Sequence, residues 1–551
     1  MFLTLFGSLA AILVFLSWMK PRTGDRWLRP LEQRAAVLAR NRGRVILALG
    51  LAAIVSRLAL LPIVPVPLPA IHDEFSYLLA ADTFAHGRFT NPPHPMSVFF
   101  DTFHVLQRPT YASKYPPAPG AAMAIGQVLG HPWIGVLLSM AAMVMAMTWM
   151  LQGWFPPVWG LLGGVLVLLR LGLFNQWGDS YYNGSVATIG AALVLGAYPR
   201  IFHSDAVKNS AIMGTGAVIL ACSRPFEGLV FCIPVAVATI VGVIRRHNGV
   251  NSFSVARKSL FPAVGVVIAG MVFLGYYNYR VTNHPLLFPY VLYHHEYFGN
   301  YPIFAWQKVT APLQYDNPQF EQFFNVWHRE SYPLTWDGWQ VRAVGTLLLS
   351  WRVLPGFVLA VPLVLLPRVV RDRRMRFPLI QLAICGAALL SVVWFQPHYT
   401  APIAATFFVL LVQSMRHLRL ARLDSRPVGL FLTRLIVVLL LVGVALKARL
   451  AEPPPEWARA RARMVQQLGA MPGEHLVLVR YFSDHNVHEE WVYNAADING
   501  AKVVWARQIP GRDLGPLLRY FNGRHVWVVE PDSDRPQLVE FSGPAKTGPG
   551  S

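Results

Sequence analysis

Charge is scarce in this chain. Of 551 residues, only 14% are Asp, Glu, Lys or Arg, against about 25% in soluble domains. Together with 54% hydrophobic residues and a mean hydropathy of +0.40, that deficit excludes an ordinary soluble domain and predicts a polytopic membrane protein. Acidic residues are scarcer still, 28 against 48 Lys and Arg, for a formal charge of +20. Such a balance raises the question of nucleic-acid binding. The basic residues, however, stand in short clusters between apolar segments, as cytoplasmic loops do, so no nucleic-acid partner is expected. Cysteine is nearly missing: Cys222, Cys232 and Cys385 all fall in apolar segments without zinc-ligand spacing, which excludes a disulfide framework. No fixed-period repeat or low-complexity tract is visible.

The apolar stretch at residues 1–19 has no basic leader and no small-residue cleavage site, so it reads as an N-terminal transmembrane helix rather than a cleaved signal. Residues 20–44 carry eight basic side chains from Lys20 to Arg44 and read as a cytoplasmic linker. Residues 45–450 read as a transmembrane module. Its spans are expected near 45–66, 132–152, 157–174, 184–202, 207–223, 226–244, 260–277, 344–366, 379–395, 401–416 and 427–448, about twelve with the first. Basic clusters at 245–258, 367–377 and 416–426 all fall inside under this assignment. A single helix over 207–244 would invert them, so a hairpin broken at Ser223-Arg224-Pro225-Phe226-Glu227-Gly228 is expected. The outer segments are then 70–120, 175–183, 224–228, 278–343 and 396–400. Residues 74–85 fit a short amphipathic helix along the membrane. Residues 451–551 show helix-like runs at 456–469 and 512–521 and strand-like runs at 476–479, 503–505 and 526–529. They read as a small α/β domain on the outer face with a Gly/Pro/Ser tip.

The chemistry concentrates in the loop from 70 to 120. It opens with Ile71-His72-Asp73-Glu74-Phe75-Ser76-Tyr77 and closes with Ser113-Lys114-Tyr115-Pro116-Pro117. Adjacent carboxylates repel, and partial burial raises a carboxyl pKa, so either Asp73 or Glu74 suits a general base; the plainer reading is an acidic first turn on a surface helix. Arg224 beside Glu227 at the membrane face suits anion binding, or a pair three positions apart. Asp179, after Gly178, suits orienting a substrate or forming a turn. In an extended segment His294 and Glu296 share a face, which fits two ligands of a divalent metal; the plainer reading of His294-His295 is surface or substrate contact. His398-Tyr399 at a helix end lines a cavity or packs. Arg57, Arg170, Arg352 and Arg434 fall within apolar spans and snorkel or pair, with Arg170 and Arg352 placed where they also reach a phosphate.

The Asp73–Tyr77 segment after an outward-running span resembles the first-loop aspartate motif of the GT-C membrane glycosyltransferases, a superfamily that includes protein O-mannosyltransferases and the aminoarabinose transferases of lipid A. Lys114–Pro117 is similar to the lysine-proline-proline motif that closes the same loop in the aminoarabinose branch, with Tyr115 inserted. Asp179 stands where family members carry an acidic residue in the second outer loop. The match runs over about residues 45–200 and is architectural beyond. The resemblance implies transfer of a sugar from a polyprenyl-phosphate donor to a glycan, lipid or protein acceptor at the periplasmic or extracellular face of the plasma (inner) membrane. It implies Asp73 as the base of an inverting displacement, with Glu74 and Asp179 beside it. Lys114 and Arg224 would face the phosphate, with Tyr77, Tyr115, Glu227 and His398 around the substrate. No cofactor is required by this reading, although a divalent metal at His294 and Glu296 stays open. The alternatives are a transporter or flippase for a lipid-linked saccharide and a non-catalytic scaffold of the same shape. A transporter usually carries midplane charges and inverted repeats; here the acids that suit chemistry cluster in outer loops and no repeat is evident.

Overall fold

The computed structural model describes residues 15–182, 184–246, 257–299, 301–308 and 311–542. The chain is a largely α-helical polytopic membrane protein with a C-terminal β-sheet domain. Among the described residues six helices are long and apolar enough to cross a membrane: Pro132–Trp154, Gly184–Ile201, Pro225–Arg245, Phe261–Thr282, Pro397–Arg419 and Val428–Arg449. Two shorter apolar helices accompany them, Pro157–Gly172 and Ala206–Ala221. The expected count of twelve is therefore not reached by length and composition. Arg42–Ala59 and Trp336–Val353 each contain three charged residues, and Arg376–Ser391 has 16 residues. The span expected at 344–366 is not one helix: it stops at Val353, and turns and a short tight helix at Val361–Leu365 follow. The span expected at 1–19 lies outside the described residues up to residue 14, and so do residues 247–256 between the basic residues of the 245–258 cluster.

In chain order the elements that position the site are α1 (Asp25–Ala39), α2 (Arg42–Ala59), α3 (His72–Ala85), α4 (Pro117–Val128), α5 (Pro132–Trp154), α6 (Pro157–Val167), α7 (Gly184–Ile201), α8 (Ala206–Ala221), α9 (Pro225–Arg246), α10 (Phe261–Thr282), α11 (Pro289–Phe298), α12 (Trp336–Val353), α13 (Arg376–Ser391), α14 (Ala401–Arg419), α15 (Val428–Arg449), α16 (Glu456–Ala470) and α17 (Gly515–Tyr520). The bundle is built around α14, which is buried without interruption from Ala401 to Met415. Met140, Met143, Met147 and Met150 of α5 pack in the same core with Ala191 and Leu195 of α7. By contrast, α10 turns Val264, Ile268, Met271 and Val272 outward. Such a stripe is stable only against hydrocarbon. Between α8 and α9 the chain turns at 222–224, so this region is two helices.

The linker helix α1 is held to the bundle by ion pairs. Arg434 of α15 pairs with Asp25 and, at 2.9 Å, with Glu32. The arginine pairs inside the structure instead of snorkelling. Arg170 likewise is occupied: its Nε donates to Leu354 O at 3.0 Å, and a second nitrogen donates to Arg352 O, closing the end of α12.

Helix α3 is not a surface helix. Phe75, Tyr77, Leu79, Ala80 and Ala81 are buried on several sides, and α4 packs closely onto it. A Cβ on Gly120 would meet the Ala80 Cβ at 2.7 Å, so this crossing requires glycine. Between α3 and α4 runs a two-residue antiparallel ladder, β1 (Val105–Leu106) with β2 (Ala112–Ser113), in the register Val105↔Ser113 and Leu106↔Ala112.

The C-terminal domain carries β3 (His475–Val479), β4 (Val503–Arg507), β5 (His525–Val529) and β6 (Val539–Glu540) in the order β4-β3-β5-β6. The first three strands are parallel and β6 is antiparallel. The central strand β3 is buried at every position, as its apolar run Leu476–Val479 requires. The expected strands and helices are present, and β6 is an addition that the sequence reading lacked. The domain shares a core with the first loop: Phe75, Phe99, Phe100 and Tyr111 pack with Leu476, Leu478, Tyr493 and Phe521.

Candidate active site

A cavity of about 620 Å³ opens where α3, the β1–β2 hairpin, the turn before α9, α11 and the C-terminal domain meet. Asp73, Tyr77, Lys114, Tyr115, Arg224, Glu227 and His294 all line it.

Asp73 sits in the first turn of α3, where the helix dipole favours its negative charge. Its Oδ1 accepts a hydrogen bond from the Tyr115 hydroxyl, and its Oδ2 lies 3.7 Å from His104 Nε2. The inserted Tyr115 therefore has a definite partner. Its ring also stacks on Tyr77, with centroids 4.2 Å apart.

The hairpin register sets the rest. Continuing the ladder by one pair brings His104 opposite Lys114, and Lys114 N–H donates to His104 O at 3.3 Å. Lys114 Nζ lies 2.8 Å from His104 Nδ1 and over the rings of Tyr115, Tyr290 and Tyr293 at 5.1, 5.6 and 4.6 Å. Burial without an adjacent carboxylate pulls the Lys114 ammonium down to about 7, although Asp73 opposes this. Burial, with Lys114 next, pulls His104 well below the usual histidine range. On the other wall, the Arg224 guanidinium lies 4.5 Å from the Tyr399 ring centroid. This is a cation–π contact, and among the described residues no hydrogen bond occupies the guanidinium N–H edges, which can face a ligand.

Four other expected site residues do not line the cavity. Glu74 points away from Asp73. Its Oε2 accepts from Ala70 N–H and its Oε1 from Tyr181 N–H, each at 2.9 Å, so it clamps the first loop to the segment before α7. Burial pushes its carboxyl up to about 7, against the two N–H donors. Asp179 pairs with Arg57 Nε at 2.9 Å, and Arg57 also donates to Val64 O and Pro65 O. His398 packs behind the wall, its ring stacked on Tyr182 at 4.6 Å. Glu296 is exposed. The extended segment expected at 294–296 is helix α11, in which positions two apart point to opposite sides. His294 and Glu296 thus share no face. His294 Nε2 bonds Tyr301 O instead, and burial pulls its pKa to about 4. Among the described residues no group of three His, Cys, Asp or Glu is placed to hold a metal.

The cavity also recruits residues that sequence reading passed over. His104 is one, and its only signal was a position ten residues before Lys114 across a short hairpin. Tyr290, Tyr293 and His328 come from the long aromatic segment. His488 comes from the C-terminal domain, its ring 4.4 Å from Trp327 and 5.9 Å from His72. No local pattern marks it. His328 is 3% exposed, and among the described residues neither ring nitrogen has a hydrogen-bond partner.

No family model matches the sequence, and no curated protein does. Among solved structures, the chain is similar to ArnT from Cupriavidus metallidurans bound to undecaprenyl phosphate, at 13% identity and a TM-score of 0.46, covering 88% of this chain and 92% of that one. It is also similar to an Archaeoglobus fulgidus oligosaccharyltransferase tethered to an acceptor peptide, at 12% identity and a TM-score of 0.40, covering 81% of this chain and 63% of that one.

Proposed function

We propose that the chain is a membrane glycosyltransferase that moves a sugar from a polyprenyl-phosphate donor to an acceptor on the periplasmic or extracellular side. The observation that carries this reading is the meeting of the Asp73 carboxylate with two cations, Lys114 and Arg224, in a cavity that Glu227 also lines and that aromatic and apolar side chains wall. A base and a cation pair in a largely apolar pocket suit displacement of an anionic leaving group from an amphiphilic donor.

In this mechanism the acceptor hydroxyl enters beside Asp73 Oδ2, the oxygen that Tyr115 does not hold. Its oxygen attacks the anomeric carbon while its proton passes to Asp73. The bond from anomeric carbon to phosphate oxygen breaks, its electron pair stays with the phosphate, and Lys114 and Arg224 stabilise the charge. A single displacement inverts the anomeric centre. Glu74 and Asp179 hold the loops in place and touch no reacting atom.

The test uses purified protein in lipid nanodiscs with labelled polyprenyl-phosphate sugars. Asp73→Asn is expected to retain donor binding and lose transfer by about 10²–10⁴-fold. Transfer at the wild-type rate by this variant rejects the assigned base. Donor movement across a bilayer without any transfer product would instead support the flippase reading.

A further inference from the structure

Three features of His104 go together. Its backbone lies in the left-handed region, φ 65°, which a residue with a side chain seldom adopts without reason. Both backbone polar groups are fixed: the N–H donates to Tyr293 Oη at 2.8 Å, and the carbonyl accepts from Ser76 Oγ at 2.6 Å. Its buried ring stands between Lys114 and Asp73, 2.8 Å from the one and 3.7 Å from the other.

We infer that His104 is a positioning residue, a neutral dipolar spacer that keeps Lys114 and Asp73 from closing into a direct ion pair. This rests on the roles given to those two residues above. The requirement is physical. A carboxylate and an ammonium free to meet in a buried pocket form a contact pair, and each is then lost to its task. The carboxylate becomes a weaker base, and the ammonium no longer faces the phosphate. An imidazole satisfies both without joining them. Nδ1 accepts from Lys114, which leaves the proton on Nε2, turned toward Asp73 Oδ2. Burial and the neighbouring cation keep the ring neutral. The other titratable groups around it are His72 from α3, Tyr115 from the hairpin, Tyr293 from α11, His328, and His488 from the C-terminal domain.

Two substitutions separate spacing from folding. Asn tolerates the left-handed backbone but is too short to span the two charges, so His104→Asn lets them meet. Gln is long enough to accept from one and donate to the other. With an undecaprenyl phosphate in nanodiscs as the probe, His104→Asn is expected to weaken binding about tenfold or more. Adding Asp73→Asn to that variant is expected to restore binding, because Lys114 is released. In the transfer assay the acid limb of the His104→Asn rate profile is expected to move down by roughly one to three pH units, and His104→Gln is expected to return it to the wild-type position. The spacer is overturned if His104→Asn binds the phosphate like wild type, if Asp73→Asn fails to rescue it, or if the rate profiles superimpose. Wild-type protein that holds no polyprenyl phosphate overturns the spacer and the functional reading together. Undiminished transfer by Asp73→Asn alone overturns the functional reading even where the binding rescue succeeds.

Discussion

Phe75 and Tyr493 lie face to face, ring planes parallel and centroids 4.1 Å apart. One belongs to the helix that carries Asp73 and the other to the C-terminal domain. The Arg461 guanidinium lies 5.1 Å from the Phe75 ring centroid and donates to Trp491 O and Tyr493 O at 3.0 and 2.9 Å. The contact fixes the domain against the first loop and brings His488 to the cavity.

Phe75→Ala should therefore loosen domain docking as well as create a cavity. A loss of about 3–5 kcal/mol is expected for the truncation. Limited proteolysis in detergent should show faster cleavage near 451–455, the segment between bundle and domain. Transfer should fall with it, since His488 leaves the cavity wall. Cleavage at the wild-type rate would mean that the shared core holds without this stack.

Arg57 and Asp179 give a second prediction. Arg57 is 1% exposed, so Asp179→Ala leaves a buried cation without its carboxylate and should cost about 3–5 kcal/mol. Replacing both, Arg57→Met with Asp179→Leu, should recover much of the melting temperature. A scaffold pair recovers activity along with stability. If stability returns and transfer does not, Asp179 reaches the substrate after all.

These two pairs show what the sequence made legible. Asp73, Lys114 and Arg224 could be singled out because charge beside an apolar span is expensive and conspicuous. Most of the helices and the three parallel strands were readable from runs of apolar residues. The pairing of Arg57 with Asp179 was not, because 122 positions separate them and either residue alone reads as a snorkelling arginine or a turn acid. Glu74 misled for a related reason: adjacency to Asp73 suggested a shared site, yet successive residues of a helix point about 100° apart. His104 and His488 reach the cavity only through hairpin register and domain docking. The segment at 294–296 failed on period: an aromatic loop was read as extended, and Pro289 starts a helix there.

Glu74 makes stability depend on pH. Its folded pKa, raised to about 7 by burial, lies above the ordinary carboxyl value. The unfolded chain therefore loses this proton first as pH rises. Its contribution is fully present below about pH 4.5, and roughly 3 kcal/mol is lost as pH rises to about 7. Asp101, likewise raised to about 7 by burial, acts with the same sign. Glu74→Gln should flatten part of the decline in melting temperature across that window. It should also cost about 1–3 kcal/mol below it, because the amide nitrogen cannot accept from the N–H of Ala70 or Tyr181. A slope identical to wild type would place the titration elsewhere.

Arg224 separates anion binding from pairing within its own helix turn. Its guanidinium lies over the face of Tyr399; Glu227, three positions on, also lines the cavity and attracts it, but among the described residues no contact ion pair joins the two. A planar cation held from one face keeps its hydrogen-bonding edge for a planar or tetrahedral anion, and an ammonium does not reproduce this. Arg224→Met should lower kcat/KM for a polyprenyl-phosphate donor by about 10²–10³-fold, the usual cost of losing a donor to developing negative charge. Arg224→Lys should recover only part of that, with the deficit in kcat rather than in donor KM, since the charge grows in the transition state. If the residue acted only through Glu227, the double variant Arg224→Met with Glu227→Gln would regain transfer as it regained stability. Recovery of the melting temperature alone, with transfer still lost, assigns Arg224 to the leaving phosphate.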